Sequence, residues 1–217
     1  MQPIFISGIG TGVGKTLVAA IITEALQADY WKPVQAGYAS GTDSLWIREV
    51  ISNRVTVIHP ELYKLKLAAS PHIAARQEGV DIRIDLIKEK MRVLSSNPKP
   101  DGEGYLIIEG AGGILVPLND TELVIDLIQS LDAAVILVSR NYLGSINHSL
   151  LTARVCQSRN LKVLGWIFND QYLDYESEIV NWTAIPAIAR IPYTEQADRQ
   201  FVLNQAGALQ PLLKRFL

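Results

Sequence analysis

The chain has 217 residues, 48% of them hydrophobic and 19% charged, enough apolar material for one sizeable core and the wrong composition for a disordered chain. A net charge of −2, a pI near 5.9 and scattered basic residues argue against nucleic acid or an acidic membrane as the principal partner. The one cysteine, Cys156, leaves no intrachain disulfide or cysteine-based metal centre to expect, and a reducing cytoplasm suits such a chain.

A single domain over residues 1–217 is the expected organisation. Ile4-Phe5-Ile6 is too short for a signal-peptide core and has no basic region before it. No apolar stretch approaches the roughly 18–20 residues that cross a bilayer, so neither leader nor membrane span is expected.

That short apolar run is the first predicted strand, and it leads into Gly8-Ile9-Gly10-Thr11-Gly12-Val13-Gly14-Lys15-Thr16. Strand, glycine-rich turn, Lys-Thr and helix in this order form the grammar of a phosphate-binding loop. Glycines let backbone N–H groups turn inward around an anion, and the helix that follows adds the positive end of its dipole. Lys15 supplies a charge for the outer phosphates, and the Thr16 hydroxyl is placed for Mg²⁺. Counted from Gly8, the loop is one residue longer than the usual pattern. The residues from Thr16 to Gln27 predict an apolar helix packed closely on a sheet.

A second strand is predicted over Tyr30 to Gln35, with Lys32 near the strand end where ligands sit in open α/β sheets. On position alone, Lys32 reads equally as a surface lysine. Asp43 opens a predicted helix running through Val50 and either caps that helix or reaches a metal; capping is the commoner role. Residues 54–66 are mixed, with a short strand expected around Val55 to Ile58. Ser70-Pro71-His72 reads as a helix start, with proline in its first turn. Three histidines that never cluster give no reason to expect a histidine metal centre.

Ile84 to Leu94 has helical spacing and ends before Asn97-Pro98-Lys99-Pro100-Asp101-Gly102, the clearest surface break in the chain. Tyr105 to Ile108 then predicts a buried strand that runs into Glu109-Gly110-Ala111-Gly112-Gly113. A carboxylate there holds Mg²⁺ or meets a cationic partner, because a buried unpaired acid is costly. Ala133 to Ser139 is another apolar strand, followed by Gly144-Ser145-Ile146-Asn147 at a helix N-terminus. Its free N–H groups suit a carboxylate as well as ordinary capping. Leu161 to Asn169 predicts a strand whose end, Asn169-Asp170, offers polar groups to a base edge. A last short strand over Ala184 to Ile191 and a closing helix over Ala208 to Phe216 complete the chain. The alternation predicts a three-layer, doubly wound, mainly parallel α/β sheet.

In order along nearly the whole chain, Gly-Thr-Gly-Val-Gly-Lys-Thr (10–16), Lys-Pro-Val-Gln (32–35), Ser-Pro-His-Ile (70–73), Glu-Gly-Ala-Gly-Gly (109–113), Leu-Gly-Ser-Ile-Asn-His (143–148), Gly-Trp-Ile-Phe-Asn-Asp (165–170) and Ile-Pro-Tyr (191–193) resemble the dethiobiotin synthetase family of P-loop enzymes. The family shares the longer loop spacing. The resemblance implies a homodimer that uses ATP and Mg²⁺ to close 7,8-diaminononanoate and CO2 into dethiobiotin. It implies that Thr16, Asp43 and Glu109 hold the metal and that Lys15 and Lys32 flank the transferring phosphoryl group. Nucleotide contacts are implied for Gly12, Val13, Gly14, Lys15, Thr16 and Leu17, for Gly110, Ala111 and Gly112 beside Glu109, and for Asn169, Asp170 and Pro192 around the base. Substrate contacts are implied for Thr11, Lys32, Gln35, Ala36 and Ser70, with Gly144, Ser145, Ile146 and Asn147 of the partner subunit at the carboxylate tail.

Two positions depart from the family pattern: Ala36 stands where a hydroxyl residue is frequent, and Tyr142 where members carry a lysine. Two rival readings belong to the same superfamily. A partitioning or positioning ATPase is disfavoured because Gly10 occupies the place of that group's early signature lysine. A related ligase or amidotransferase of cofactor synthesis is disfavoured because the chain has no Cys-dependent glutaminase portion.

Overall fold

The computed structural model describes residues 1–96, 104–170, 172–173 and 175–217, so the break expected over Asn97 to Gly102 lies outside the described residues. Seven strands form one sheet: β1 (Gln2–Gly8), β2 (Asp29–Trp31), β4 (Ile58–His59), β6 (Tyr105–Gly113), β7 (Ala134–Arg140), β8 (Val163–Asn169) and β9 (Ala187–Ile191), in the order β4-β2-β6-β1-β7-β8-β9. Every pairing is parallel. Such strands bury both faces, which is why they read as unbroken apolar runs and not as alternating ones.

The two faces carry separate cores. Helices α1 (Lys15–Leu26), α2 (Asp43–Val50) and α8 (Arg199–Leu213) cover the face that holds Ile4, Ile6, Tyr30 and Ile107. The face that holds Phe5, Trp31 and Ile108 is covered by α3 (Pro71–Glu78), α4 (Ile84–Ser95), α5 (Val124–Ser130), α6 (Ser145–Ser158) and α7 (Tyr175–Thr183). Helices on both sides of a parallel sheet give the three-layer architecture expected from the strand and helix alternation.

Four details differ from the sequence reading. The predicted strand over Tyr30 to Gln35 is two strands: β2 stops at Trp31, and β3 (Val34–Ala36) leaves the main sheet to pair in parallel with β5 (Tyr63–Leu65). Pro33, which has no N–H for a ladder, stands at that break, and its carbonyl accepts from Leu62 and Tyr63. The strand expected around Val55 to Ile58 begins at Ile58. The closing helix starts at Arg199, capped by the Asp198 carboxylate, which accepts from the Phe201 N–H. Helices α5 and α7 had no counterpart in the predicted elements.

The chain runs from β1 outward to β2 and β4, returns to β6 on the near side of β1, and continues to β7 beyond it. Sheet order therefore reverses beside β1, and in an open α/β sheet the crevice at the C-terminal strand ends of such a point is the ligand position.

Candidate active site

The loop from Ile9 to Gly14 connects β1 to α1, which starts at Lys15. Gly14 is left-handed, with φ of 88°, and a Cβ there would stand 2.4 Å from the Asn169 amide nitrogen. Only glycine meets both demands, and the reward is a clamp: Asn169 donates to the Val13 carbonyl at 2.6 Å. The end of β8 is thereby tied to the phosphate-type loop. The Asn169 Oδ1 atom is buried and has no hydrogen-bond partner among the described residues.

Lys15 donates to the Gly10 carbonyl at 2.8 Å, within its own loop. Burial pulls its pKa down from 10.5 to about 8, with Lys32 adding to the fall and Glu109 and Asp43 opposing it.

Opposite the loop, five side chains drawn from α1, β2 and its end, α2 and β6 form one network around the buried Lys32 and Glu109. Lys32, just after β2, places Nζ 2.9 Å from Glu109 Oε1 and 2.6 Å from Asp43 Oδ2. The Thr16 hydroxyl donates to the same Glu109 Oε1 at 2.8 Å, and the Tyr30 hydroxyl donates to Oε2 at 2.7 Å. Glu109 is 1% exposed, so a carboxylate there depends wholly on these partners. Burial alone would lower the pKa of Lys32, but the charges of Glu109 and Asp43 outweigh it and hold the ammonium above its ordinary value. Lys32 and Glu109 balance one another away from water, and Asp43, about one third exposed, meets the same ammonium from the cavity side.

Asp43 is not the cap of its helix. Thr42 is the N-cap of α2, its side chain accepting from the Leu45 N–H, while Asp43 is the first helical residue and points to Lys32. Gln35 spends its amide on holding that helix start, accepting from the Asp43 N–H and donating to the Gly37 carbonyl.

A cavity of about 750 Å³ lies over the network, lined by Thr11, Gly12, Gly14, Lys15, Thr16, Lys32, Gln35, Ala36, Asp43, Ser70, Glu109, Ala111 and Gly112 among others. A second cavity of about 220 Å³ adjoins the loop on the β8 side, with Gly12, Val13, Gly14, Leu17, Asn169, Asp170 and Pro192 in its walls. The glycine loop thus borders one recess toward the Lys32 network and one toward the ends of β8 and β9, and a third of about 390 Å³ opens beside it toward Arg140, Asn141 and Tyr142.

Gly110 departs from the expected nucleotide contact. It lines neither cavity, and a Cβ there would meet Phe5 Cε1 at 2.6 Å, so its missing side chain makes room for the core beneath β6. Gly144, Ser145, Ile146 and Asn147 also line neither cavity of their own chain. Gly144 is the left-handed N-cap of α6, and the Ser145 hydroxyl accepts from the Tyr142 N–H. At the departing position 142, the tyrosine hydroxyl pairs with His148 Nδ1 at 2.6 Å.

The sequence reading did not pick out Tyr30, Ala68, Ala69, Arg140 or Tyr193. Tyr30 lies two residues before Lys32 in a strand-like run, a spacing that marks one face; its partner Glu109 is 79 residues away. Arg140, from the end of β7, pairs with Asp170 at 2.5 Å on the rim of the smaller cavity.

The donor set of Thr16, Asp43 and Glu109 consists of hard oxygens, and the space between the two carboxylates already holds a cationic group, the Lys32 ammonium. Oxygen donors fit a hard cation such as magnesium better than a softer metal, and the ammonium shows that the place between the carboxylates suits positive charge.

The chain matches the family model described as an AAA domain over residues 2–200. It is 57% identical over 212 residues to the ATP-dependent dethiobiotin synthetase BioD of Cytophaga hutchinsonii, covering 96% of this chain and 97% of that relative. The protein of the same name from Christiangramia forsetii is 43% identical, covering 93% of each. Among solved structures, the septum site-determining protein MinD of Pyrococcus horikoshii superposes with a TM-score of 0.64 at 16% identity, covering 100% of this chain and 98% of that one. A ParA family ATPase from Chlorobium tepidum gives 0.59 at 16%, covering 99% and 91%. At such identities the likeness is one of fold.

Proposed function

The chain belongs to the ATP-dependent dethiobiotin synthetase family, and from that premise we propose how its residues close 7,8-diaminononanoate and CO2 into the cyclic urea of dethiobiotin, with ATP converted to ADP and phosphate. The observation that supports this most is the Lys32 ammonium held between Asp43 and Glu109, across the larger cavity from the phosphate-type loop.

The chemistry explains the demand for such a pair of lysines. One amine of the substrate adds to CO2, giving a carbamate whose oxygens are too basic to leave. A carbamate oxygen attacks the γ-phosphorus and ADP departs, forming a carbamic–phosphoric anhydride. The second amine attacks the carbonyl carbon, and phosphate leaves with the C–O bond electrons. Charge builds on the transferring phosphoryl oxygens, so catalysis consists largely of placing cations around them.

In this reading Gly12, Gly14 and the N-terminus of α1 present N–H groups to the phosphates, and Lys15 exchanges the Gly10 carbonyl for a phosphate oxygen. Lys32 releases its carboxylates and turns to the carbamate and the γ-phosphoryl group. Thr16, Asp43 and Glu109 would hold Mg²⁺, which neutralises charge between the phosphates when bound. Asn169 and Pro192 frame the adenine, and the unpartnered Asn169 Oδ1 is suited to accept from its exocyclic amine. Thr11, Ser70 and Ala36 line the diamine side.

We assign the carboxylate tail of the substrate to Gly144 through Asn147 of a second copy. Two facts support a homodimer: those residues line neither cavity of their own chain, and Leu143 and Leu151 beside them are exposed. Among the described residues no helix is long and apolar enough to cross a membrane, and the cytoplasm is the proposed compartment.

Carbon-13 bicarbonate tests the reaction directly. Incubated with the diamine, ATP and Mg²⁺, the protein is expected to yield dethiobiotin one mass unit heavier, with the label in the ureido carbon. Unlabelled product or none would refute the assignment.

A further inference from the structure

Tyr30 is fully buried in the face of β2 that packs under α1, an unusual place for a phenol beside Ile4, Ile6 and Ile107. In the register of the sheet it stands opposite Ile107, and Glu109 follows two residues later on the same face, so the hydroxyl reaches the carboxylate from the strand next door. The division of labour at that carboxylate is unequal. Among the described residues Oε2 accepts only from Tyr30, at 2.7 Å, whereas Oε1 accepts from both Thr16 and Lys32, the two groups that border the larger cavity.

We infer that Tyr30 is a positioning residue for the reaction: its O–H anchors one oxygen of Glu109 in the core so that the other faces the cavity. The inference rests on the proposed role of Glu109 at the metal. Lys32 is half of what holds Oε1, and the proposed chemistry requires Lys32 to turn toward substrate. When it leaves, only Thr16 and Tyr30 still fix the carboxylate, and Thr16 is itself a proposed metal ligand. Tyr30 alone has no other duty in the cycle. Its ring is packed on all sides and its hydroxyl has this single partner among the described residues, so it cannot follow substrate or metal. Without that bond a side chain with three rotatable torsions would find its carboxylate held from one side only, and the buried Oε2 would have no donor.

Tyr30→Phe keeps the ring and removes the bond. We would titrate Mg²⁺ against binding of a fluorescent ATP analogue, and follow the melting temperature with ADP in the presence and absence of Mg²⁺. The expected result is analogue binding without metal within about twofold of the parent, a half-saturating Mg²⁺ concentration raised about tenfold, and a smaller Mg²⁺-dependent gain in melting temperature. In turnover, kcat falls while KM for the diamine stays near the parent value. Glu109→Gln and the double variant Tyr30→Phe/Glu109→Gln complete a double-mutant cycle, and the comparison of these two with each other is a second test beside the single phenylalanine variant. If Tyr30 acts through Glu109, the double variant matches Glu109→Gln in its Mg²⁺ response.

A parental Mg²⁺ response in folded Tyr30→Phe, or a further tenfold loss in the double variant beyond Glu109→Gln, would overturn the inference. A parental Mg²⁺ response in Glu109→Gln would instead overturn the metal role of Glu109 on which it rests.

Discussion

Lys32 is the side chain on which the proposed chemistry turns. It is buried, fully charged and held by two carboxylates at 2.6 and 2.9 Å, an arrangement that stores a cation where a polyanion is to bind. The proposed role is to stabilise charge as the phosphoryl group transfers. Removal should therefore appear in turnover more than in nucleotide binding: Lys32→Ala is expected to lower kcat by about 10²–10³-fold, the usual loss for one preorganised transition-state donor. Steady-state kinetics beside a fluorescent nucleotide titration separate the two, and loss of nucleotide affinity with normal kcat would contradict the assignment. Lys15 makes a pH-dependent case. Its pKa is pulled down to about 8 in the free protein, chiefly by burial, and phosphates bound beside it favour the charged form. Binding thus takes up a proton once the free lysine begins to lose its own. Affinity for ATP is expected to be flat below about pH 7 and to weaken above pH 8 by up to about tenfold per unit, since one pKa unit is worth about 1.4 kcal/mol. Isothermal titration calorimetry across pH 6.5 to 9.5 in two buffers would show the proton uptake directly.

At the scale of elements, the site depends on strand ends that are far apart in the chain and adjacent in the sheet. The clamp between Gly14 and Asn169 joins the β1–α1 loop to the end of β8. Gly14→Ala would put a side chain at a left-handed φ, costing about 1–2 kcal/mol, and would push the Asn169 amide away. Weakened nucleotide binding and a lowered melting temperature are expected together; a variant that binds the nucleotide like the parent would show that the clamp is dispensable. The loop itself was readable from the sequence because its glycines and Lys-Thr act locally, and the seven motif stretches carried the family. The strands of the main sheet were readable as apolar runs for the same local reason, apart from the break at Pro33 and the short edge strand β4, which overlaps the expected run only at Ile58. The start of α8 was not, since its cap is a lone Asp198 in a polar stretch that resembles a loop. Nor was the partner of Tyr30, because strand order and register decide which residues 79 positions apart touch, and no local pattern encodes them. Gly110 shows the converse: a glycine inside a motif shared with the family makes room for Phe5 in the core, which the motif alone does not reveal.

Taken whole, the molecule has the fold shared by MinD and ParA family ATPases, while its close relatives are dethiobiotin synthetases. One parallel sheet with a phosphate-type loop at its switch point serves both groups, so function has to be argued from what surrounds the loop. Here that is a cavity of about 750 Å³ with a second buried lysine and room for an acceptor beside the phosphates. Such a site should couple ATP cleavage to an acceptor instead of to water, because in the proposed reading the carbamate is the nucleophile that completes the charge arrangement around Lys32. The most direct measurement is ADP release from purified protein with Mg²⁺ and ATP, in the presence and absence of 7,8-diaminononanoate and bicarbonate. Turnover is expected only when both are supplied, with one ADP formed for each dethiobiotin; rapid ADP release in their absence, unchanged when they are added, would contradict the account.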